Sequence, residues 1–165
     1  MKTGRYFMKK SFFLLLISIF IASSACAIDT AKTKSDKGEL SDMKISIQIT
    51  SDSGKSELTA TLADNSSATA FYQLLQKAPV TIKMSDYGNF EKVGPLGTSL
   101  PRNDTQITTS AGDIILYQGN QITIYYDKNS WNFTRLGKID DITQAQLKRI
   151  LGKGDVTAEF DVLRQ

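Results

Sequence analysis

The side chains of this chain with the clearest binding chemistry are aromatic residues that fall in or beside predicted turns. Rigid rings with a polar tip give a ligand contact area while they lose little side-chain entropy on binding. Two arginines also fall at predicted loop or cleft positions. We interpret these residues as a candidate groove for a peptide or small-molecule ligand, formed by Tyr87, Phe90, Arg102, Tyr125, Trp131 and Arg135.

The local sequence around two of these aromatics supports a groove. Successive side chains of a strand face opposite sides, so Tyr125 and Tyr126 cannot both enter the core, and one of them faces outward or into a cleft. Trp131 has polar neighbours on both sides, which is unlike a core strand. The alternative is that Trp131 is a core plug that covers one end of the domain, and the sequence leaves both interpretations open.

Residue types that other active sites need are missing or isolated. The sequence contains no histidine and a single cysteine, so a zinc site or a Ser/His or Cys/His nucleophilic pair cannot be assembled from the usual side chains. Asp140 and Asp141 are adjacent, but neighbours in sequence diverge in space, and Asp141 suits the start of a helix, where negative charge is favourable. We therefore expect no metal and no cofactor.

Residues 1–25 have the layout of a secretory signal peptide. Four basic side chains precede an apolar run over residues 12–22, which is interrupted only by Ser18, and small residues follow up to Ala27. This run is shorter than the roughly 20 residues that a bilayer-spanning helix needs. We predict an exported protein from which the signal peptide is removed.

Two processing sites are compatible with the end of the signal peptide. Residues 22–26 form a loose lipobox, in which Cys26 becomes the lipidated N-terminus, whereas residues 25–27 form a small-x-small site that would leave Ile28 first. Cys26 has no disulfide partner in the chain, and residues 26–42 form a polar, lysine-rich tether. Both points favour a lipid anchor in the membrane of the cell envelope, and neither excludes a secreted or periplasmic protein.

The distribution of charge argues against nucleic acid as a partner. The formal net charge of the whole chain is +3, and setting aside the 4 basic residues of the signal peptide leaves −1 on the mature chain. Nucleic-acid binding needs a concentrated basic face. We therefore expect a peptide or small-molecule partner and no nucleic acid.

Residues 43–165 have the length of one domain and carry mostly strand patterns. Two-residue alternation predicts strands at residues 45–49, 58–62, 80–84, 90–93, 114–117, 122–126, 133–139 and 156–162. The dipeptide Gly119-Asn120 predicts a two-residue hairpin turn, and two prolines with two glycines predict a long loop over residues 94–104.

Two helices complete the predicted domain. The first follows the cap Asp64-Asn65 and ends near Pro79, since proline restricts the residue before it. The second covers residues 144–151, with a capping box from Thr143 to Gln146 and a glycine stop directly after it. Eight strands and two helices without alternating βα units predict a closed antiparallel barrel whose ends are covered by the helices.

Five short strings of this domain carry a family resemblance: Leu62-Ala63-Asp64-Asn65, Tyr87-Gly88-Asn89, Gly112-Asp113-Ile114, Ile124-Tyr125-Tyr126 and Leu136-Gly137-Lys138-Ile139. Together they resemble the bacterial cyclophilin-like family, and the order of strands and helices is also similar to that of cyclophilins. The resemblance covers the chain from residue 43 onward. It implies a mainly β fold, a closed eight-stranded cyclophilin-like β-barrel with two capping α-helices.

The resemblance to true cyclophilins stops at their catalytic residues. Those prolyl isomerases use an arginine, a nearby Phe and Gln, and an aromatic pocket with a histidine, whereas this chain has no histidine and no Phe-x-x-Gln string that aligns. The resemblance therefore implies ligand binding without established catalysis. The alternative is a weak or divergent peptidyl-prolyl isomerase of the cell envelope with Arg102 or Arg135, because electrostatics and desolvation alone can lower a barrier of ~20 kcal/mol.

Overall fold

The computed structural model describes residues 43–164. The predicted signal peptide over residues 1–25 and the tether over residues 26–42, with its candidate lipidation site Cys26, lie outside the described residues. Within residues 43–164, no helix combines the length and the apolar character that crossing a membrane requires.

The described residues form nine strands and two helices. In chain order they are β1 (Lys44–Ser51), β2 (Gly54–Leu62), α1 (Ser66–Lys77), β3 (Val80–Tyr87), β4 (Glu91–Pro95), β5 (Thr105–Thr108), β6 (Asp113–Tyr117), β7 (Gln121–Tyr125), β8 (Ser130–Ile139), α2 (Gln144–Leu151) and β9 (Val156–Val162).

Eight of the strands close into an antiparallel barrel, which confirms the predicted fold class. The order around the barrel is β2-β1-β9-β3-β4-β7-β6-β8, and β2 pairs again with β8 to complete the ring. In that closing pair, Ala60 lies opposite Ile139 and Leu62 lies opposite Gly137. Closure removes the free sheet edges that would otherwise expose unpaired backbone groups.

The ninth strand, β5, lies outside the ring and was not among the predicted strands. It pairs with the first half of β8, where Ile107 lies opposite Trp131. Its four residues are too few to show a clear alternation, and the strand exists because the start of β8 offers a partner. The extra strand adds to the barrel and leaves its closure unchanged.

Aliphatic side chains at alternate strand positions fill the inside of the barrel. In β1, Ile45, Ile47 and Ile49 are fully buried, and the residues between them are not. Helix α1 adds Phe71, whose ring packs edge-on against Phe160 with 5.8 Å between centroids. Burial contributes roughly 1.5–3 kcal/mol for each such side chain, so this core is the main source of stability.

Both helices begin at the predicted caps. The Asn65 side chain accepts a hydrogen bond from the backbone N–H of Ala68 at 2.9 Å and starts α1. The capping box of α2 is present, because the Thr143 side chain accepts from the Gln146 backbone and the Gln146 side chain accepts from Thr143. Gly152, with φ of 61°, ends α2. Leu147 and Leu151 of this helix are buried.

The turn between β6 and β7 lies one residue earlier than predicted. Gln118 and Gly119, with φ of 52° and 81°, are its two central residues, and the Asn120 N–H donates to the Tyr117 carbonyl at 3.2 Å. Two consecutive positive φ angles are the geometry of a type I′ turn, which matches the twist of a hairpin. Tyr117, at the end of β6, pairs with Gln121, so three residues separate the two strands, one more than predicted.

Candidate ligand-binding cavity

A second, smaller apolar cluster lies on the face of the barrel wall opposite the core. In β6, Ile114 and Leu116 face the core, whereas Ile115 between them packs with Tyr125 and Phe133 in the second cluster. Adjacent strand residues point to opposite faces, so this second cluster covers the outer face of β6, β7 and β8. The barrel wall is therefore apolar on both sides at this place.

This outer face carries a cavity of about 330 Å³. The volume falls within the range of roughly 300–1,000 Å³ that is usual for small-molecule sites. Tyr87 and Trp131 lie at its border, and each is 62% exposed, unlike the other large apolar side chains described. The lining residues are Tyr87, Glu91, Val93, Tyr117, Gln121, Tyr125, Asn129, Trp131 and Phe133.

The tight turn between β3 and β4 positions two of the predicted aromatics. Gly88 and Asn89 have φ of 61° and 59°, and a Cβ on Gly88 would lie 2.2 Å from the Phe90 ring, so any larger residue there would displace that ring. The Phe90 ring meets Tyr87 edge-on at 5.8 Å and stacks on Tyr125 at 6.1 Å. Phe90 therefore supports the lining rings from behind and is not itself part of the lining.

The floor of the cavity is a row of aromatic rings from neighbouring strands. The centroids of Tyr125 and Phe133 are 5.6 Å apart, and those of Tyr117 and Phe133 are 6.4 Å apart. Tyr125 is buried with its ring in this outer cluster, whereas Tyr126 is buried on the core side. The expected division of these two tyrosines between core and cleft is what the structure has.

Trp131 lies at the mouth of the cavity. It belongs to the half of β8 that pairs with β5, and its neighbour Asn132 is exposed as well. The exposed fraction of 62% is not that of a core plug. The strand pairing fixes the backbone of Trp131, while the indole remains open to solvent beside the lining rings.

Among the described residues that line the cavity, Glu91 is the one acidic side chain, and its carboxyl is buried. The residue is 7% exposed, and Oε2 has no hydrogen-bond partner among the described residues. Burial raises the pKa of Glu91, the neighbouring Tyr125 hydroxyl opposes this shift, and the charge of Asp86 adds to it. On the same face, the buried Thr123 hydroxyl also lacks a partner within residues 43–164.

The strand ladder holds Glu91 in place, because it lies directly opposite Tyr125 in the pair of β4 and β7. Burial and the adjacent Glu91 carboxyl raise the pKa of the Tyr125 phenol, so this hydroxyl stays protonated and can donate a hydrogen bond. The Asn129 amide donates to the same hydroxyl at 3.5 Å. The cavity therefore joins a ring surface to a small polar group at one end.

Sequence reasoning missed Glu91, although a signal was present. Glu91 and Val93 are two residues apart in a short predicted strand, so their side chains face the same side. An acidic side chain therefore shares a face with an apolar one. The polar lining residues Gln121 and Asn129 were also missed. Their strand and loop positions carry no such signal.

The structure places the two predicted arginines away from this cavity. The Arg102 guanidinium forms an exposed ion pair with Asp104. The Arg135 guanidinium lies 3.2 Å from the buried Asp113 carboxyl, and it lines a separate depression. Of the six predicted site residues, the structure brings together Tyr87, Phe90, Tyr125 and Trp131.

Comparison with known proteins agrees with a closed cyclophilin-like barrel. Residues 51–161 match the model of the Cyclophilin-like family. The chain belongs to the Cyclophilin-like family.

A hypothetical protein from Archaeoglobus fulgidus, known from a solution structure, has a similar fold. Its TM-score to this chain is 0.53 at 11% sequence identity, over 74% of this chain and 96% of that protein. At this identity the likeness supports the fold alone. No curated protein matches the chain at a significant level.

Proposed function

We propose that this protein binds a peptide or small ligand in the aromatic cavity on the outer face of its barrel. The observation that carries the proposal is the exposure of Tyr87 and Trp131 at the border of one concave, ring-lined surface. Exposed apolar area beside a cavity is a source of binding energy, at about 25 cal/mol for each Å² removed from water.

The proposed binding surface is largely formed before the ligand arrives. Phe90, Tyr125 and Phe133 contact one another in a continuous series of rings, and strand pairing holds the backbone beneath them. A preformed site lowers the entropic cost of association.

We propose binding without catalysis as the function of this cavity. Its lining residues within the described part of the chain include no arginine or lysine, and Arg102 and Arg135 are engaged with aspartates elsewhere. The alternative of a divergent prolyl isomerase stays a prediction. A proline-peptide isomerisation assay on the wild type, Arg102→Ala and Arg135→Ala tests it directly.

We also propose that the domain is exported and held at the cell envelope by a lipid on Cys26. The support is the signal-peptide layout of residues 1–25, the single cysteine and the polar tether over residues 26–42. Intact-mass measurement of the membrane fraction tests the modification. A soluble product that begins at Ile28 contradicts it.

The binding proposal is testable through the chain's single tryptophan. Since Trp131 lies at the mouth, its emission should respond to proline-containing and other uncharged peptides in a saturable way. Tyr87→Ala retains this reporter and should weaken binding by about tenfold or more, the effect of losing a contact aromatic. Gln106→Ala, on the exposed strand β5, is the control and should bind as the wild type does.

A further inference from the structure

Among the described residues, the polar part of the cavity lining has an acidic group and no basic group. Among the described lining residues, Glu91 is acidic and none is basic, while the other polar groups are neutral amides and phenols. A ligand that places an anion here would meet a carboxyl with no counter-charge in the lining. The charge pattern therefore selects against acidic groups.

The Glu91 carboxyl is set up to receive a hydrogen-bond donor. A buried polar group is costly unless it is paired, and native structures pair nearly all of them. Yet Glu91 is 93% buried, since 7% of it is exposed, and its Oε2 has no partner within residues 43–164. A lysine-type ammonium would donate a charge-assisted hydrogen bond to it, which is about twice as strong as a neutral one, whereas a quaternary ammonium, which has no N–H, would be attracted by its charge alone.

The rings around this carboxyl favour a cation for a separate reason. The face of an aromatic ring carries negative potential and attracts ammonium groups within about 6 Å of its centroid, by ~0.5–2 kcal/mol for each contact. Five of the nine lining residues are aromatic: Tyr87, Tyr117, Tyr125, Trp131 and Phe133. The carboxyl at one end of the cavity and the rings that line the rest of it are the two kinds of group that together hold an ammonium ion.

We infer that this cavity recognises a cationic ligand group of the ammonium class, bound between the Glu91 carboxylate and the surrounding aromatic rings. This inference rests on the proposed function. The group belongs to a free alkylammonium compound or to a lysine-type side chain of a peptide. The shared element is a compact positive charge with apolar substituents, which contact the rings while the charge approaches Glu91.

Two pairs of probes separate charge from shape and distinguish the sources. Choline and 3,3-dimethylbutan-1-ol have the same shape but differ in one positive charge, and Nα-acetyl-lysine amide with Nα-acetyl-norleucine amide form the corresponding peptide pair. Trp131 emission and calorimetry measure binding to the purified protein. We expect at least one cationic probe to bind about tenfold or more tightly than its neutral partner.

The variant Glu91→Gln keeps the size of the side chain and removes its charge. It should lose this preference of about tenfold while it retains the affinity for the neutral probes. Glu57→Gln, an exposed glutamate of β2, is the matched control and should behave as the wild type. Thermal melts of both variants show whether they are folded, and the comparison of probes on the wild type remains decisive if Glu91→Gln is not.

The possible outcomes separate this inference from the proposed function. Equal affinity for cationic and neutral probes overturns the inference and leaves a binding cavity that ignores charge. Binding of uncharged peptides without any response to either cation overturns it as well. If neither the cations nor the uncharged peptides bind, both proposals fail.

Discussion

Glu91 and Lys92 are adjacent in β4, both are buried, and they serve opposite faces of the barrel wall. The Lys92 ammonium donates to Asp86 at 2.8 Å and to the carbonyls of Gly154 and Gly152 at 2.7 and 3.2 Å. Glu91 Oε2, by contrast, has no such partner in the described chain. A buried charge whose donors are all paired indicates a structural role, and a buried carboxyl with one oxygen unpaired at a cavity indicates a binding role.

Lys92 should be a stability residue. Lys92→Met would leave the Asp86 carboxylate without its ammonium partner, and we expect a loss on the order of 2–3 kcal/mol in the free energy of unfolding. Denaturant unfolding measures it, with Lys83→Met on the exposed face of β3 as the control. An unfolding curve that matches the wild type would show that the buried network adds no net stability.

The capping box of α2 should contribute measurably to stability. Thr143→Ala removes the hydroxyl that accepts from the Gln146 N–H at 3.3 Å, and the expected loss is about 1 kcal/mol. Thr98→Ala, an exposed threonine outside the helices and strands, is the control. If the denaturation midpoint of Thr143→Ala does not move, the cap is not needed to start the helix.

Trp131 should be nearly dispensable for folding. Because its side chain is largely exposed, Trp131→Ala should change the unfolding free energy by less than about 1 kcal/mol. Phe133→Ala, two residues along the same strand and 3% exposed, should cost ~3–5 kcal/mol. Thermal melts of the two variants give the contrast, and a comparable loss in Trp131→Ala would contradict the open position of the indole.

The raised pKa of Glu91 should make stability depend on pH. Its pKa is 4.5 in the unfolded chain and higher in the folded protein, so the folded state holds the proton more tightly. The contribution of Glu91 to the free energy of unfolding is therefore complete below about pH 4.5 and is lost as the pH rises through the pKa of the folded state. The wild type should therefore lose stability relative to Glu91→Gln as the pH rises through this range.

Two ionisable groups beside Glu91, Tyr125 and Asp86, stay in one protonation state over this pH window. Tyr125 faces it from the lining, and burial raises the pKa of its phenol, so it remains neutral. Burial opposes ionisation of Asp86, but hydrogen bonds from Lys92 and Tyr126 lower its pKa, so it is already charged. Unfolding free energies measured at several pH values check the prediction. If the unfolding free energies of the wild type and Glu91→Gln change with pH in the same way, the burial of this carboxyl has no effect on stability.

The sequence predicts the local parts of this fold better than its long-range pairings. The caps Asn65 and Thr143 involve contacts within one turn of helix, so their residue types identify them. Strand alternation similarly identifies the eight barrel strands. Strand β5 depends on a partner strand about 25 residues away, since Thr105 lies opposite Phe133 and Thr108 lies opposite Ser130. A pattern of four residues is too short to predict such a pairing.

The candidate site was predictable in its aromatic part and not in its polar part. Aromatic residues in polar surroundings, such as Trp131, stand out in a sequence. The burial of Glu91 depends on Tyr125 being placed opposite it in another strand. Ion pairs with Asp104 and Asp113 direct the side chains of the predicted Arg102 and Arg135 away from this cavity.

The most direct test of the central claim is to locate bound ligand on the protein by two-dimensional NMR. The single tryptophan gives one indole N–H signal, and titration with choline and with proline-containing peptides should shift it together with the backbone amides of Glu91 and Tyr125. These groups border one cavity. Shifts confined to them support ligand binding there, whereas saturable shifts that centre on Arg102 or Arg135 and spare the indole would contradict the account.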